Sequence, residues 1–364
     1  MNYRFSLILI SLLIFISCDK EDIEKDTDPF DRSEMLNNYA NNIIIPAFND
    51  LDNGISELKL SVELFIGDVN EVNLVSLQEK WKEVYRLWQY TNAYNFGPAG
   101  AEGLSRGLSE EIATFPVSST KIENALSSPS FNDFNRDTRG FLTIEYLIFD
   151  IDGINDNIIN AFSSQERKDY LLGVVNNIES RVDLVVSGWS GNYLNDFLSN
   201  NGTDAGSSVS LLYNEFVKSF EAVKNIKIEL PLGKRPGQVQ IEPHLVEAYY
   251  SGISLDVLGV QLESIENLWY GKNKEGVKGL GFIDYLNSVE GGEELVASTI
   301  DQWGKVKLAF NAISKTIPLS NQIENSPELI EPLRVELQKH TRFFKSDMSS
   351  RLGISITFSS GDGD

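Results

Sequence analysis

The sequence predicts an all-α protein made of two packed helical bundles and a short extended C-terminal tail. Apolar residues recur at the three- and four-residue spacing of an amphipathic helix through most of the 364 residues. Strand patterns, in which apolar and polar residues alternate, are scarce. Residues 200–206 combine asparagine, glycine and aspartate in a run that favours turns and separates the two bundles. No repeat by residue identity is visible between the two halves.

Residues 1–18 predict a signal peptide of the bacterial lipoprotein type. Apolar residues 7–17 follow Arg4, and they are too few to span a bilayer, which takes about 20. The last four residues, 15–18, resemble a lipobox, whose cysteine is acylated and becomes the new N-terminus. Cys18 is the only cysteine of the chain, so we expect it to carry the lipid that anchors the protein to a membrane.

Residues 19–32 predict an acidic tether, because they carry too few apolar side chains to bury. An acidic run directly after a lipidated cysteine resembles the signal that sends Bacteroidetes lipoproteins to the outer face of the outer membrane. In enterobacteria an aspartate at this position, here Asp19, instead implies retention at the inner membrane. We expect a lipid-anchored protein of the cell envelope, on the outer membrane and facing outward where the Bacteroidetes rule applies.

The formal net charge of −22 narrows the range of partners. It argues against nucleic acids and against anionic membrane surfaces, and it is compatible with the attraction of cations. Solubility alone also explains such a charge. Contact with the membrane is therefore expected through the lipid.

The N-terminal bundle is predicted over residues 33–200. Its helices are expected at 33–62, 74–94, 138–149 and 163–198. Pro46 lies inside the first helix and predicts a kink there, because proline cannot donate the backbone hydrogen bond. The second helix carries tryptophan and tyrosine on its apolar stripe and ends at residues 95–100, which include two glycines and a proline.

The C-terminal bundle is predicted over residues 201–352. Its helices are expected at 207–226, 243–270, 289–313 and 327–352. Pro243 suits the first turn of the second of these helices, where the missing N–H is not needed. The tail, residues 353–364, alternates apolar side chains and predicts a short strand or an extended strap.

A helix that follows Gly140 places a single carboxylate, Glu145, among apolar residues. An unpaired buried carboxylate costs several kcal/mol, so Glu145 needs a cation, a hydrogen-bond donor or a proton. Arg139 lies next to this helix and is expected to be the ion-pair partner. Such a pair favours a structural role for Arg139 over a binding role.

Residues 140–145 resemble Gly-x-His-x-x-Glu, the defining motif of the imelysin-like family of bacterial envelope proteins. Gly140 and Glu145 match the motif, and Leu142 stands at the histidine position. The resemblance extends to residues 81–96, 206–214, 247–255 and 352–358, and it covers nearly the whole chain after the signal. It implies two related helical bundles with the motif helix in a cleft between them. It also implies a link to the uptake of iron or another metal, in a family once classed as metallopeptidases.

The leucine at the histidine position of the motif limits the metal chemistry that the motif can support. A histidine and a glutamate three residues apart share one helix face and can ligate a metal together, whereas Leu142 has no lone pair to offer. The chain has only two histidines, His244 and His340, and each is expected at the surface or at a helix cap. No His-Glu-x-x-His pair, the arrangement of a zinc peptidase, is present. The sequence therefore leans against an enzyme without settling the question.

Several residues are candidates for a ligand site in the expected cleft. Glu145 is the candidate metal ligand, and the cofactor stays unknown, with iron or another divalent metal as candidates. The aromatic candidates are more often core residues at this spacing, and the hydroxyl groups near 250 serve equally often as caps. The remaining cleft candidates are Arg139, Gly140, Trp81, Trp88, Tyr249, Tyr250, Ser251 and Ser254.

Three functions remain open at this stage. The preferred one is a non-catalytic binding protein linked to metal uptake, whose partner is a metal ion, haem or another envelope protein. The second is a metallopeptidase in which Glu145 is general base or ligand. The third is a structural or adhesion module, whose cleft would be filled by side chains with Glu145 bonded only to Arg139.

Overall fold

The computed structural model describes residues 30–131 and 135–358. The predicted signal peptide, Cys18 and most of the acidic tether lie outside the described residues, as does the end of the tail from residue 359. The described residues contain no β-strand, only one isolated bridge between Lys272 and Lys278. The predicted all-α fold is confirmed.

The helices are numbered here in chain order. They are α1 Arg32–Asn38, α2 Ile45–Gly67, α3 Glu71–Thr91, α4 Leu108–Ile112, α5 Ser119–Ala125, α6 Phe141–Ile148, α7 Asn155–Ala161, α8 Gln165–Gly188, α9 Leu194–Ser199, α10 Ser208–Ala222, α11 Ser254–Tyr270, α12 Phe282–Asn287, α13 Gly292–Ala312, α14 Leu319–Asn325, α15 Glu331–Arg342 and α16 Ser349–Arg351. Short 3₁₀ turns cover Gly97–Ala99, Arg136–Thr138, Pro243–Leu245 and Pro327–Leu329.

Wider π-helical segments extend or join several of these helices. Within the described residues they are Tyr39–Ile44, Trp189–Tyr193, Val223–Glu229 and Phe343–Met348. The first joins α1 to α2 and ends at Ile44, and Pro46 stands in the first turn of α2. In the first turn of α2 the N–H that Pro46 lacks is not needed, and the kink predicted there stays a prediction.

The long helices pack in two groups. In the first, α2 lies against α3 and α8, and α6 packs on α3 and α8. In the second, α13 packs on α15, and α11 contacts α10 and α12. Helix α11 also contacts α3, which brings the two groups together. From Asp31 onward the chain forms one compact unit, and the division into two domains near residue 200 stays a prediction.

The described part of the tail is an extended strap. The side chain of Asn214 on α10 makes two hydrogen bonds to the strap. Its Nδ2 donates to the Ser355 carbonyl at 3.1 Å, and its Oδ1 accepts from the Thr357 N–H at 2.7 Å. Ile354 is buried. Of the two predicted forms, strand or strap, the strap is present in residues 353–358. Within residues 30–131 and 135–358, no helix is both long enough and apolar enough to span a membrane.

Candidate functional site

The motif helix α6 begins where the backbone allows only glycine. Gly140 caps its N-terminus with a φ of +88°, and a Cβ there would lie 2.3 Å from the Ile112 carbonyl oxygen. A side chain would therefore meet both the strained backbone angle and a collision with another backbone segment. Gly140 positions the motif helix and does not itself offer a ligand group.

Helix α3 holds both ends of α6. The Trp81 indole N–H donates to the Phe141 carbonyl at 2.9 Å, and the Gln78 amide donates to the Ile148 carbonyl at 2.7 Å. The Trp81 ring is fully buried and stacks on Tyr85 with a centroid separation of 4.9 Å. Trp81 is thus a core residue that fixes the motif helix, while Trp88 lies two turns further along the same face of α3 and lines a second cavity.

Glu145 is buried in the middle of α6, with 2% of its surface exposed. Its Oε1 accepts two hydrogen bonds from Ser251, one from the N–H at 2.8 Å and one from the hydroxyl at 2.7 Å. Burial raises the pKa of Glu145 to about 7, against the lowering effect of these bonds, and the negative charge of Glu247 adds to the increase. Near neutral pH the group therefore divides between the acid and the carboxylate.

The segment that reaches Glu145 is not helical, which corrects the prediction of a helix from Pro243 to Tyr270. Only Pro243–Leu245 forms a 3₁₀ turn, and α11 begins at Ser254. Between them Ala248 has a φ of +55° and Gly252 a φ of +71°. A left-handed alanine costs about 1–2 kcal/mol. This local strain turns the Ser251 N–H and hydroxyl toward Glu145.

Ser254 closes this loop at the start of α11. Its hydroxyl donates to the Glu247 carbonyl at 2.5 Å and lies 3.4 Å from the Ala248 carbonyl. The side chain thus bonds the loop backbone, which leaves Ser254 in a positioning role. Among the four predicted residues near 250, Ser251 binds Glu145 and the two tyrosines line the cleft beside it.

The predicted ion pair between Arg139 and Glu145 is wrong. The Arg139 guanidinium pairs with Glu111 at 2.9 Å, and Arg181 approaches the same carboxylate at 3.3 Å. Arg139 also donates to the Phe131 carbonyl. It is adjacent to α6 in sequence, but its extended backbone before Gly140 directs it to α4 and α8 instead of the glutamate one turn into the helix.

Glu145 lies on the wall of a cleft of about 420 Å³. Leu142, at the motif's histidine position, lies on the same wall one helical turn away. Across from α6 the wall comes from the 3₁₀ turn and the strained loop, which contribute His244, Tyr249 and Tyr250. The same turn and loop also contribute Leu245, Val246 and Ala248, and Asp137 lines the cleft from the 3₁₀ turn before α6. The remaining lining residues belong to the connection before α5 and to its start, namely Phe115, Pro116, Val117, Ser118 and Ser119.

A second carboxylate is held close behind the strained loop. Glu247 accepts from the Tyr85 hydroxyl at 2.6 Å and pairs with the Lys227 ammonium at 2.5 Å. Lys227 also donates to the Gln89 side chain at 2.9 Å. Burial lowers the pKa of Lys227, an effect that Glu247 opposes, and burial raises the pKa of Tyr85 well above its usual value.

The two histidines differ in environment. His244 is exposed at the cleft, as predicted for a surface histidine. The surface or capping role predicted for His340 is wrong, because this residue is fully buried among Phe220, Trp303 and Phe344. Neither ring nitrogen has a hydrogen-bond partner among the described residues. Burial lowers the pKa of His340 to about 3, so the ring is neutral.

The residues around Glu145 do not fit a preformed metal centre. Both donors of Ser251 occupy the same carboxylate oxygen, and the side chain three residues earlier is aliphatic. In the part of the chain that the structure describes, no group of three or more histidine, cysteine, aspartate or glutamate side chains is placed to hold a metal ion. One carboxyl with a pKa near neutrality is a weak ligand for a bare cation.

The sequence does not single out Lys227, Glu247 or Gln89, although it carries a signal for the first of them. Lys227 continues the apolar stripe of Phe216, Phe220 and Val223, one residue beyond the predicted helix end. The burial of His340, away from the cleft, has a signal too, since it stands seven and three residues after Leu333 and Leu337 on the buried face of α15. A polar residue on an apolar stripe is a sign of buried polar chemistry. Glu247 and Gln89 have no such signal.

The fold and the site define a class: an all-helical protein with a glycine-started motif helix whose buried glutamate borders a cleft. The chain belongs to the imelysin family, because the family model described as Imelysin matches residues 44–331. This confirms the family that the motif indicated.

Relatives and solved structures agree with this assignment. Iron-regulated protein A of Synechococcus elongatus is 22% identical over 118 residues, and the match covers 32% of this chain and 32% of that protein, about a third of each. The fold is similar to that of a protein from Parabacteroides distasonis described as an iron-regulated protein A precursor, with a TM-score of 0.73 and 19% identity. An imelysin-like protein from Psychrobacter arcticum gives a TM-score of 0.68 and 16% identity. Both structural matches cover 90% of this chain and 97% of the other.

Proposed function

We propose that this chain is a lipid-anchored, non-catalytic binding protein of the cell envelope with an iron-related role, and that the cleft beside Glu145 holds a small organic ligand. One observation carries the binding function: a buried glutamate on the wall of a cleft of about 420 Å³, held by two hydrogen bonds from Ser251. Small-molecule sites are concave, with a few polar groups among apolar and aromatic walls.

The chemistry of the cleft favours a ligand that donates a hydrogen bond to Glu145. The two aromatic rings of Tyr249 and Tyr250 offer flat surfaces at a centroid separation of 5.3 Å. A carboxyl with a pKa near 7 accepts from a donor as carboxylate and donates as acid. Because Leu142 replaces the motif's histidine, the same wall is poorly equipped to activate water on a metal. Binding therefore fits this donor set better than peptide hydrolysis.

The iron-related role is supported by the names of the relatives, which describe iron-regulated proteins. A deletion strain of the native host tests it, with growth measured in iron-limited and iron-replete media. We expect a growth defect under limitation only, restored by the wild-type gene. A Ser119→Trp variant, which puts a bulky side chain on the cleft wall, is expected to fail, whereas Thr143→Val on the same motif helix is expected to restore growth.

Two results would count against the proposal. Equal growth of the deletion strain at every iron level would remove the iron-related role. Full restoration by Ser119→Trp, with the variant present at wild-type abundance, would remove the cleft from that role.

The lipid anchor and the envelope location rest on residues 15–18 and the acidic tether. Mass spectrometry of the mature N-terminus tests the anchor, with an acylated Cys18 as the expected first residue. Protease treatment of intact cells tests the outward-facing location. Recovery of unmodified Cys18 in an otherwise processed chain would remove the anchor.

A further inference from the structure

The strained loop borders both the cleft and the second cavity. It comprises residues 246–253, between the 3₁₀ turn Pro243–Leu245 and α11. Four of its residues line the cleft, namely Val246, Ala248, Tyr249 and Tyr250. Glu247 lies among them in sequence but lines the second cavity, which has a volume of about 310 Å³. Glu247 can therefore act on the cleft only through the loop or through its charge.

Glu247 ties the loop to three other elements. Its Oε1 accepts from the Tyr85 hydroxyl at 2.6 Å, and its Oε2 pairs with the Lys227 ammonium at 2.5 Å. Tyr85 belongs to α3 of the first helix group, and Lys227 belongs to the π-helical segment that follows α10 of the second. The Glu247 carbonyl accepts from the Ser254 hydroxyl at the start of α11. Three separate elements thus meet at one loop residue.

The contacts of the Glu247 side chain are buried. Tyr85 is fully buried, Lys227 is 7% exposed, and the side chain of Glu247 is 12% exposed. A buried charge that loses its partner keeps the full desolvation penalty, so Glu247 is held firmly beside Lys227. Lys227 is held in turn by its hydrogen bond to Gln89 of α3. The position of the loop is therefore set by groups outside it.

The loop needs this restraint because its backbone is strained. Ala248 directly follows Glu247 and has a φ of +55°. A left-handed residue other than glycine persists only where the surrounding structure holds it. Three residues further on, the N–H and the hydroxyl of Ser251 both donate to Oε1 of Glu145. Relaxation of Ala248 would change the direction of the chain before Ser251 and draw these donors away from the carboxyl group.

We propose that Glu247 is a positioning residue for the cleft. By binding Tyr85 and Lys227, it holds the loop in the conformation in which Ser251 fixes the Glu145 carboxyl group and the two loop tyrosines line the cleft. This role rests on the proposed function, because it concerns the same cleft. It gives the buried cluster of Tyr85, Glu247 and Lys227 a task beyond the packing of the two helix groups.

A positioning role and a purely electrostatic role of Glu247 predict different results. If Glu247 acted only through its negative charge, a change that keeps this charge would leave Glu145 unaffected. Tyr85→Phe is such a change, because it removes the hydroxyl donor to Glu247 and keeps the buried ring that stacks on Trp81. Tyr213→Phe is the matched control, since this buried tyrosine donates to the Phe344 carbonyl in the second helix group.

Amide hydrogen exchange and carbon NMR on the full mature chain, without ligand, test the proposal. In Tyr85→Phe we expect the Ser251 N–H to exchange about tenfold faster than in wild type or more, because the loop loses a hydrogen bond to a charged group. The Ile144 N–H of α6 is the reference, since a loss of global stability accelerates both amides. The pKa of Glu145 is expected to rise by at least about 0.5, because the bonds from Ser251 lower it. Tyr213→Phe should leave both quantities as in wild type.

A double variant keeps the test decisive if Tyr85→Phe does not fold. Lys227→Met with Glu247→Gln removes both charges together, so neither is left buried alone. A positioning role predicts faster exchange of the Ser251 N–H, because the ion pair that anchors the loop is gone. A purely electrostatic role predicts unchanged exchange and a lower pKa of Glu145, because the negative charge of Glu247 raises that pKa.

Faster Ser251 exchange relative to Ile144, in either variant and not in Tyr213→Phe, supports the proposal. Three results overturn it: unchanged Ser251 exchange in both variants, an equal acceleration in Tyr213→Phe, or a Glu145 pKa that stays the same or falls in a folded Tyr85→Phe. Because no ligand is present, this test can fail while the growth test of the proposed function succeeds, and the reverse also holds.

Discussion

Replacing Glu145 by glutamine is expected to make the protein more stable relative to wild type as the pH rises. In the native state burial raises the pKa of Glu145 from 4.5 to about 7, so between these values the native protein holds a proton that the unfolded chain has released. The unfolding free energy of wild type therefore falls as the pH rises. This loss of stability is absent below about pH 4.5 and complete above about pH 7. From pH 5 to pH 8 it grows by about 2.5 kcal/mol, at about 1.36 kcal/mol per pKa unit. Glutamine does not titrate and removes this dependence.

Urea unfolding of wild type and Glu145→Gln at pH 5 and pH 8 measures the effect. The difference in unfolding free energy between the two proteins is expected to shift by about 2.5 kcal/mol in favour of the variant at pH 8. Thr143→Val is the control, because Thr143 lies on the same helix, is fully buried and does not titrate. Its difference from wild type should be equal at both pH values. A pH-independent difference for Glu145→Gln would refute the reasoning.

Three further changes probe the structure around the site. Ser251→Ala removes one of the two hydrogen-bond donors to Glu145 and is expected to raise the pKa of that carboxyl further. Carbon NMR measures this pKa, and a lower value in the variant would contradict the hydrogen bond from the Ser251 hydroxyl. Gly140→Ala is expected to lower the unfolding free energy, measured with urea, by about 2 kcal/mol more than Gly153→Ala does. Both glycines have a positive φ, but only at Gly140 would a Cβ lie 2.3 Å from a backbone oxygen. Equal losses of unfolding free energy in the two variants would be inconsistent with this collision. Burial lowers the pKa of His340 from 6.5 to about 3, so the unfolding free energy of wild type decreases as the pH falls below 6.5. His340→Phe is expected to remove about 3 kcal/mol of that decrease between pH 7 and pH 4. Parallel profiles of unfolding free energy against pH for the two proteins would argue against a buried neutral ring.

The helical fold could be predicted from the sequence because long amphipathic stripes leave few alternatives. The stripe through Phe48, Leu51 and Ile55 is buried as expected. Short helices such as α4, α12 and α14 were not predicted, since five to seven residues carry too little periodicity. The helix expected from Pro243 fails because Ser251, Gly252 and Ser254 favour a loop and a helix start over a helix interior.

The site was harder to predict than the fold. The sequence identifies Glu145 as a buried carboxylate that needs a partner, and it points to the hydroxyl groups near residue 250. Their contact depends on the left-handed conformation of Ala248, which no sequence pattern predicts. Proximity along the chain predicts that Arg139 pairs with Glu145, whereas the packing of α4 brings Glu111 to Arg139 instead. Partners distant in sequence are set by tertiary packing.

Anomalous diffraction from crystals soaked in ferrous and in zinc salts tests the central claim most directly. If Glu145 is a proton-sharing acid held by Ser251, neither metal should appear within coordination distance of its oxygens, about 2.0–2.5 Å. An ion bound there, with Glu145 and further protein atoms completing its coordination sphere, would contradict the account.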